Sequence, residues 1–247
     1  VAAIIVVITL GPVPQSQSYH HFADTRRLLA LPNALNVLSN LPFVVVGLVG
    51  FVFTLHPGLN LEKSEYWAYI ALFAGLLLTG IGSGYYHLVP NNQTLVFDRL
   101  PMTIAMAGFL IVLICDRFGS PGLWVLPLLL FIGIVSVIQW SASEEHGHGD
   151  LRWYALYQGL TIILGTAILL LFASRRNSAP PFAIAVIGNI AAKVFELLDK
   201  PIYQWGGQVS GHTLKHLSAS LSFVPLVIFM YRWIPAEADQ AARGKSA

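Results

Sequence analysis

The chain has 247 residues, 55% of them hydrophobic and only 11% charged, whereas an average soluble protein is about one-quarter charged. With a mean hydropathy of +0.67 and several apolar runs of about 20 residues, each enough to cross a bilayer as a helix, the composition excludes a soluble globule and reads as a polytopic membrane protein. A formal net charge of +2 gives no footing for nucleic acid, and one cysteine, Cys115, excludes an intrachain disulfide.

Residues 1–11 are apolar but too short to span alone. They read as the end of a longer helix or the remnant of a signal-like segment, so 1–12 is a candidate extra N-terminal helix, although no basic n-region or cleavage site is visible. Pro12 and Pro14 end the run, and a polar loop with Tyr19, His20, His21, Asp24, Arg26 and Arg27 follows. The first full span is expected over 33–54, with Pro32 at its start and a polar stripe of Asn33, Asn36 and Asn40 that must face protein or water. Further spans are expected over 65–87, 94–115, 122–140, 151–173, 181–198 and 211–233, with SASEEHGHGD (141–150) as a polar loop and 236–247 as a disordered tail. The glycines Gly80, Gly82 and Gly84 read as a surface for close helix packing. Cys115 sits inside an apolar run and reads as a packing residue. With no internal repeat and no linker, the expected fold is all-α: a single membrane domain over 1–247 whose seven-helix core spans 33–234.

Seven spans fix which loops share a side. Near the helix ends one side holds Lys63, Arg117, Arg175, Arg176, Arg232, Arg243 and Lys245, and the other holds Arg26, Arg27, Arg99, Arg152 and Lys200. The positive-inside rule then places the richer side, with the C-terminus, in the cytoplasm.

Ionisable groups inside spans are costly and mark function. Here parity collects them on the opposite face. His87 ends the second span, Asp98 opens the third, Glu196 and Asp199 end the sixth, and His212 and His216 open the seventh. His212 and His216 are four apart, one above the other on a helix. With His87 they make a three-histidine set, and three protein ligands with an open position is the pattern of a catalytic zinc. Ser83 precedes His87 by one turn and shares its helix face. Asp98 follows His87 across a short turn, close enough to reach a water activated by the metal and act on it as acid and base. His20, His21, His146 and His148 read as solvated loop histidines, and His56 as a structural turn residue. Lys193 is spaced to pair with Glu196, as an ion pair fixing helix packing or as a polar wall of a substrate pocket together with Asp199.

The run Ser83-Gly84-Tyr85-Tyr86-His87, then Asp98-Arg99-Leu100-Pro101-Met102, then His212-Thr213-Leu214-Lys215-His216, resembles the alkaline ceramidases. These belong to the CREST superfamily, with the adiponectin and progestin receptors. Asn36-Val37-Leu38-Ser39-Asn40-Leu41 is also similar to the ceramidase first span, and the resemblance covers about residues 19–234. It implies seven helices around a zinc held by His87, His212 and His216. Asp98 would be the acid/base residue and Ser83 would steady the water or the oxyanion. The implied reaction is hydrolysis of an amide bond in a ceramide-like or other N-acyl membrane lipid.

One departure stands out. Eukaryotic ceramidases carry an acidic calcium-binding run before the first span, and here residues 19–33 offer one carboxylate, Asp24. Calcium prefers six to eight oxygens, so no calcium site is expected. Arg26, Arg27 and Arg99 are instead candidates to meet an anionic headgroup. The alternative function is a lipid receptor or sensor that keeps the zinc site without turnover. A retinal protein bound through Lys215 is disfavoured, because Lys215 lies near the start of its span, between two histidines. No broken pair of half-helices suggests a transporter. Lys215 itself is read as facing a headgroup or a carboxylate such as Glu196.

Overall fold

The computed structural model describes residues 7–59 and 61–232. Seven helices in it are long and apolar enough to cross a membrane: α1 (Ala34–Thr54), α2 (Lys63–Leu88), α3 (Asn92–Phe118), α4 (Val125–Glu145), α5 (Arg152–Leu171), α6 (Ala179–Leu197) and α7 (Gly211–Tyr231). A short helix, Asp199–Gly206, joins α6 to α7. The described residues contain no β-strand. The protein is an all-α, multi-pass membrane protein. The expected polar tail and residues 1–6 lie outside the described residues; residues 7–9 form a helical turn.

Local chemistry sets the boundaries. Asn91 accepts from the Thr94 backbone while the Thr94 hydroxyl takes the Asn91 backbone N–H, a reciprocal cap that starts α3. Ser210 caps α7 through the Thr213 N–H. Gly119 and Gly207, both at positive φ, stop α3 and the short helix. The segment Ser141–Glu145, expected in a loop, continues α4 instead. Glu144 gains partners there: its carboxylate accepts from Trp140 Nε1, Gln15 N and Asn92 Nδ2.

α2 lies between α1 and α3, and small residues let the three backbones meet. A Cβ on Gly47 or Gly80 would collide with α1–α2 contacts at Leu77 or Val44, and one on Gly75, Gly82 or Gly108 would collide with α2–α3 contacts. Gly84 differs from the expectation, because nothing lies within 4 Å of where its Cβ would stand. The apolar core gathers Leu72, Phe73, Leu76, Ile111, Leu113, Phe182, Leu226 and Met230. Cys115 is buried against it, free, as a packing residue.

α1 and α7 are both interrupted. α1 turns at Ser39–Asn40 and α7 at Ser222–Phe223. The first break lies at the depth of the polar cluster. All three asparagines of the α1 stripe face protein: Asn33 Nδ2 donates to His87 O, Asn36 Nδ2 to Asp24 O, and Asn40 Nδ2 to Asn36 O. In hydrocarbon such amides need partners of this kind.

Candidate active site

His87 on the last turn of α2, and His212 and His216 on the first turns of α7, are all buried. Their rings turn the same nitrogen inward. His87 Nε2 lies 3.3 Å from His216 Nε2 and 3.3 Å from His212 Nε2. A tetrahedral ion with Zn–N bonds of about 2.0–2.1 Å would hold its nitrogens about 3.3–3.4 Å apart. These three residues can therefore hold a metal ion, and they are a group of potential ligands whose donor atoms lie within 4.8 Å of one another.

The surroundings hold the rings in place. His216 Nδ1 lies 2.8 Å from Ser39 Oγ and 3.4 Å from Asn40 Nδ2, both at the turn in α1. With Nε2 turned to a metal, Nδ1 would carry the proton and donate to the Ser39 hydroxyl, which would fix the tautomer. The His212 backbone N–H donates to Asp199 Oδ1, and the other oxygen of Asp199 accepts from Ala23 N. Asp199 thus opens the short helix and ties the start of α7 to the N-terminal segment. Phe22 from that segment covers the cluster, its ring centroid 4.6 Å from that of His87 and 4.8 Å from that of His212.

Asp98 is buried on α3, and Ser83, buried on α2, lies near its carboxylate. Ser83, Asp98 and His216 share the wall of a cavity of about 290 Å³ that runs into the bundle between α3, α5, α6 and α7. Its inner part is apolar, with Phe43, Leu76, Met102, Met106, Phe109 and Phe223. Its outer part is polar, with Gln15, Tyr19, Arg99, Lys193, Glu196 and Lys215.

Several of the remaining sequence-derived candidates have definite partners. Lys193 pairs with Glu196 at 2.8 Å, and Lys215 pairs with the same carboxylate at 3.0 Å. Tyr19 OH donates to Glu196 Oε1 at 3.0 Å. Burial, reinforced by the Glu196 carboxylate, pushes the Tyr19 phenol well above its ordinary pKa, so it stays a donor. Arg26, a candidate for a headgroup, is instead occupied: it pairs with Asp24 at 2.8 Å and donates to Gln208 O. That guanidinium holds the Asp24 carboxyl below its usual range. His20 is not a solvated loop histidine. Its ring nitrogens meet Tyr86 OH and Asn92 Oδ1, both at 2.9 Å, and burial lowers its pKa. His146 and His148 are exposed, as expected of loop residues.

Ser39, Phe22, Tyr19 and Gln15 were not singled out by the sequence. The only signal for Ser39 was its place beside Asn36 and Asn40 in the ceramidase-like run. The other three come from a loop whose docking depends on the whole bundle.

The Ceramidase family matches residues 30–195. The chain belongs to the ceramidase family. No curated protein matches it. The match takes in Ser83, His87 and Asp98 and stops before α7. The two α7 histidines thus complete the cluster of this ceramidase-family chain from beyond the matched region, and it is the geometry that joins them to His87.

Proposed function

We propose that this ceramidase-family protein is a zinc-dependent amidohydrolase that cleaves an N-acyl membrane lipid. The observation that carries the reading is the convergence of three buried histidine nitrogens, one of them on His216, which shares with Asp98 the wall of a cavity that is apolar inside and polar outside. His87, His212 and His216 are the residues that would hold the ion. Bound there, zinc supplies Lewis acidity to the acyl carbonyl and brings the pKa of water toward about 7.

The chain's own residues do the rest. The apolar inner cavity takes the acyl chain and sets its carbonyl beside Asp98 and Ser83. Asp98 accepts a proton as water oxygen bonds to the carbonyl carbon. It returns that proton to the amide nitrogen as the C–N bond breaks, leaving a fatty acid and a free amine. Ser83 donates to Asp98 and orients it for both transfers, while keeping to the part of the wall where the oxyanion develops. The buried, largely apolar setting keeps other water from the amide. The whole chain acts as one membrane domain, with the C-terminus cytoplasmic and the site toward the opposite face, in keeping with the distribution of basic residues. The Asp24–Arg26 pair supports a loop ordered without calcium, since its one carboxylate already has a cation.

Purified protein is expected to carry about one zinc per chain, and wild type to release fatty acid from an N-acyl lipid mixture. Asp98→Asn should keep the zinc and lose about 10²- to 10⁴-fold in rate, followed by mass spectrometry of the lipids. Wild-type protein that binds no zinc would overturn the metal reading. Lipid binding that survives in Asp98→Asn, with no turnover by wild type of any lipid offered, would make it a receptor.

A further inference from the structure

A carboxamide interrupts the apolar inner part of the cavity. Gln158 is half-buried and lines the cavity from α5, on the helix face that also brings Tyr154, Thr161 and Gly165 to the wall. Its backbone carbonyl accepts from the Thr161 hydroxyl at 2.9 Å. Its side-chain amide makes no hydrogen bond among the described residues. Neither amide atom is sealed off by protein, so the group is open to the cavity. Asn189 lines the same cavity from α6. Its Nδ2 donates to Ala185 O at 2.8 Å, while its Oδ1 is unpaired among the described residues and likewise not sealed off.

α3 and α5 cross in the same direction, and their contacts fix the depth of Gln158. The Tyr154 ring centroid is 4.8 Å from the guanidinium of Arg99, the residue after Asp98, so Tyr154 marks the level of Asp98. Further in, a Cβ on Gly165 would stand 3.9 Å from Phe109 and from Leu113. Gln158 is one turn beyond Tyr154 and so stands about 6 Å deeper than Asp98. Asn189 is set deeper than the histidines too. Its Nδ2 lies 3.5 Å from Ser222 Oγ, and Ser222 follows His216 by more than one turn of α7. Both amides therefore belong to the part of the cavity that takes the acyl chain.

A plain hydrocarbon chain drawn past these groups would displace water from them and offer nothing in return, which costs free energy. A carboxamide presents a donor and an acceptor side by side. A hydroxyl is also both, so it can satisfy the amide in either sense. A hydroxyl and its hydrogen bond together reach about 4 Å from the carbon that bears them, which places that carbon close to the scissile carbonyl. We propose that Gln158 is a specificity-determining residue that hydrogen-bonds a hydroxyl on the second or third carbon of the acyl chain. The favoured substrates are then N-acyl lipids, ceramides included, with a 2- or 3-hydroxy acyl chain. Unsubstituted chains remain substrates and are cleaved more slowly. Asn189 supplies a second acceptor on the adjoining wall. The proposal rests on the amide-hydrolase reading above.

The test compares palmitoyl amides of sphinganine and of ethanolamine that differ only in the acyl chain: unsubstituted, 2-hydroxy, 3-hydroxy and 16-hydroxy, with the 2- and 3-hydroxy enantiomers kept separate. The 16-hydroxy arm carries the same polar group at the far end of the chain. The full-length, zinc-loaded protein is assayed in lipid nanodiscs for kcat/KM on each. Wild type is expected to favour a 2- or 3-hydroxy amide over the unsubstituted and 16-hydroxy ones by about 3- to 10-fold, the scale of one hydrogen bond. The favoured arm identifies the carbon. Gln158→Met, close in volume but without the amide, should bring that ratio to about one, which a merely structural role would not do. Thermal unfolding shows whether the variant folds; Gln158→Leu takes its place if it does not, and the wild-type ratio is a test without either. Wild type that shows no such preference, a preference that survives in the variant, or equal losses on every arm overturns the inference while leaving the hydrolase reading standing. Cleavage of no arm by zinc-loaded wild type overturns both.

Discussion

At the scale of single residues, the histidine cluster depends on groups that do not belong to it. Ser39 is buried, sits at the interruption of α1 and meets His216 Nδ1 at 2.8 Å. Partners of a metal-binding imidazole set its orientation and basicity, and their loss costs about 10- to 100-fold in metal affinity. Ser39→Ala is therefore expected to weaken zinc binding by about that factor, read by competition with a chelator of known affinity, while the fold persists. Glu196 plays the equivalent part for charge. It holds Lys193, Lys215 and the Tyr19 hydroxyl at once, so it fixes α6, α7 and the N-terminal segment around one carboxylate.

Elements meet where side chains are smallest. α2 and α3 approach so closely at Gly82 that a Cβ there would fall on the carbonyl oxygen of Phe97, the residue before Asp98. Gly82→Ala should cost about 1–3 kcal/mol as overpacking and push Asp98 away from Ser83. The expected outcome is a lower unfolding temperature in detergent together with reduced lipid hydrolysis. Gly84→Ala, two residues along α2 with open space around it, is the control and should leave stability within about 0.5 kcal/mol. The three glycines look alike in sequence; only the partner helix tells them apart.

For the whole molecule, what was legible in the sequence followed from depth. Counting spans places His87, Asp98, His212 and His216 at one membrane face, because each crossing reverses direction. Depth does not give rotation about the bundle axis. Depth set Arg99 near a helix end but did not show that its guanidinium stacks inside on Trp140 and Tyr154. Nor does depth say how a loop packs, which is why Phe22 carries no signal, Tyr19 reads only as a loop residue and His20 reads as solvated. The continuation of α4 through Ser141–Glu145 was hidden by its polar composition. Only the contacts of Glu144 with Trp140, Gln15 and Asn92 explain it.

That loop carries a pH dependence of its own. Burial lowers the His20 pKa, so below the unfolded value of about 6.5 the unfolded chain takes up a proton that the folded chain refuses. The His20 contribution is present above that pH and is lost as pH falls through it. His20→Gln is expected to flatten the decline in unfolding temperature between pH 7.5 and 5.5. The difference between wild type and variant isolates His20 from the three buried histidines, which both proteins share.

Phe22 turns the N-terminal segment into a kinetic matter. Its ring lies against His87 and His212, and Ala23 beside it is tied to Asp199. An ion held beneath that ring would be shielded on the loop side until the segment lifts, so the opening rate of the loop would contribute to its residence time beside affinity. Stripping of zinc by a large hydrophilic chelator should reach a limiting rate that no longer rises with chelator concentration. Phe22→Ala should raise that ceiling.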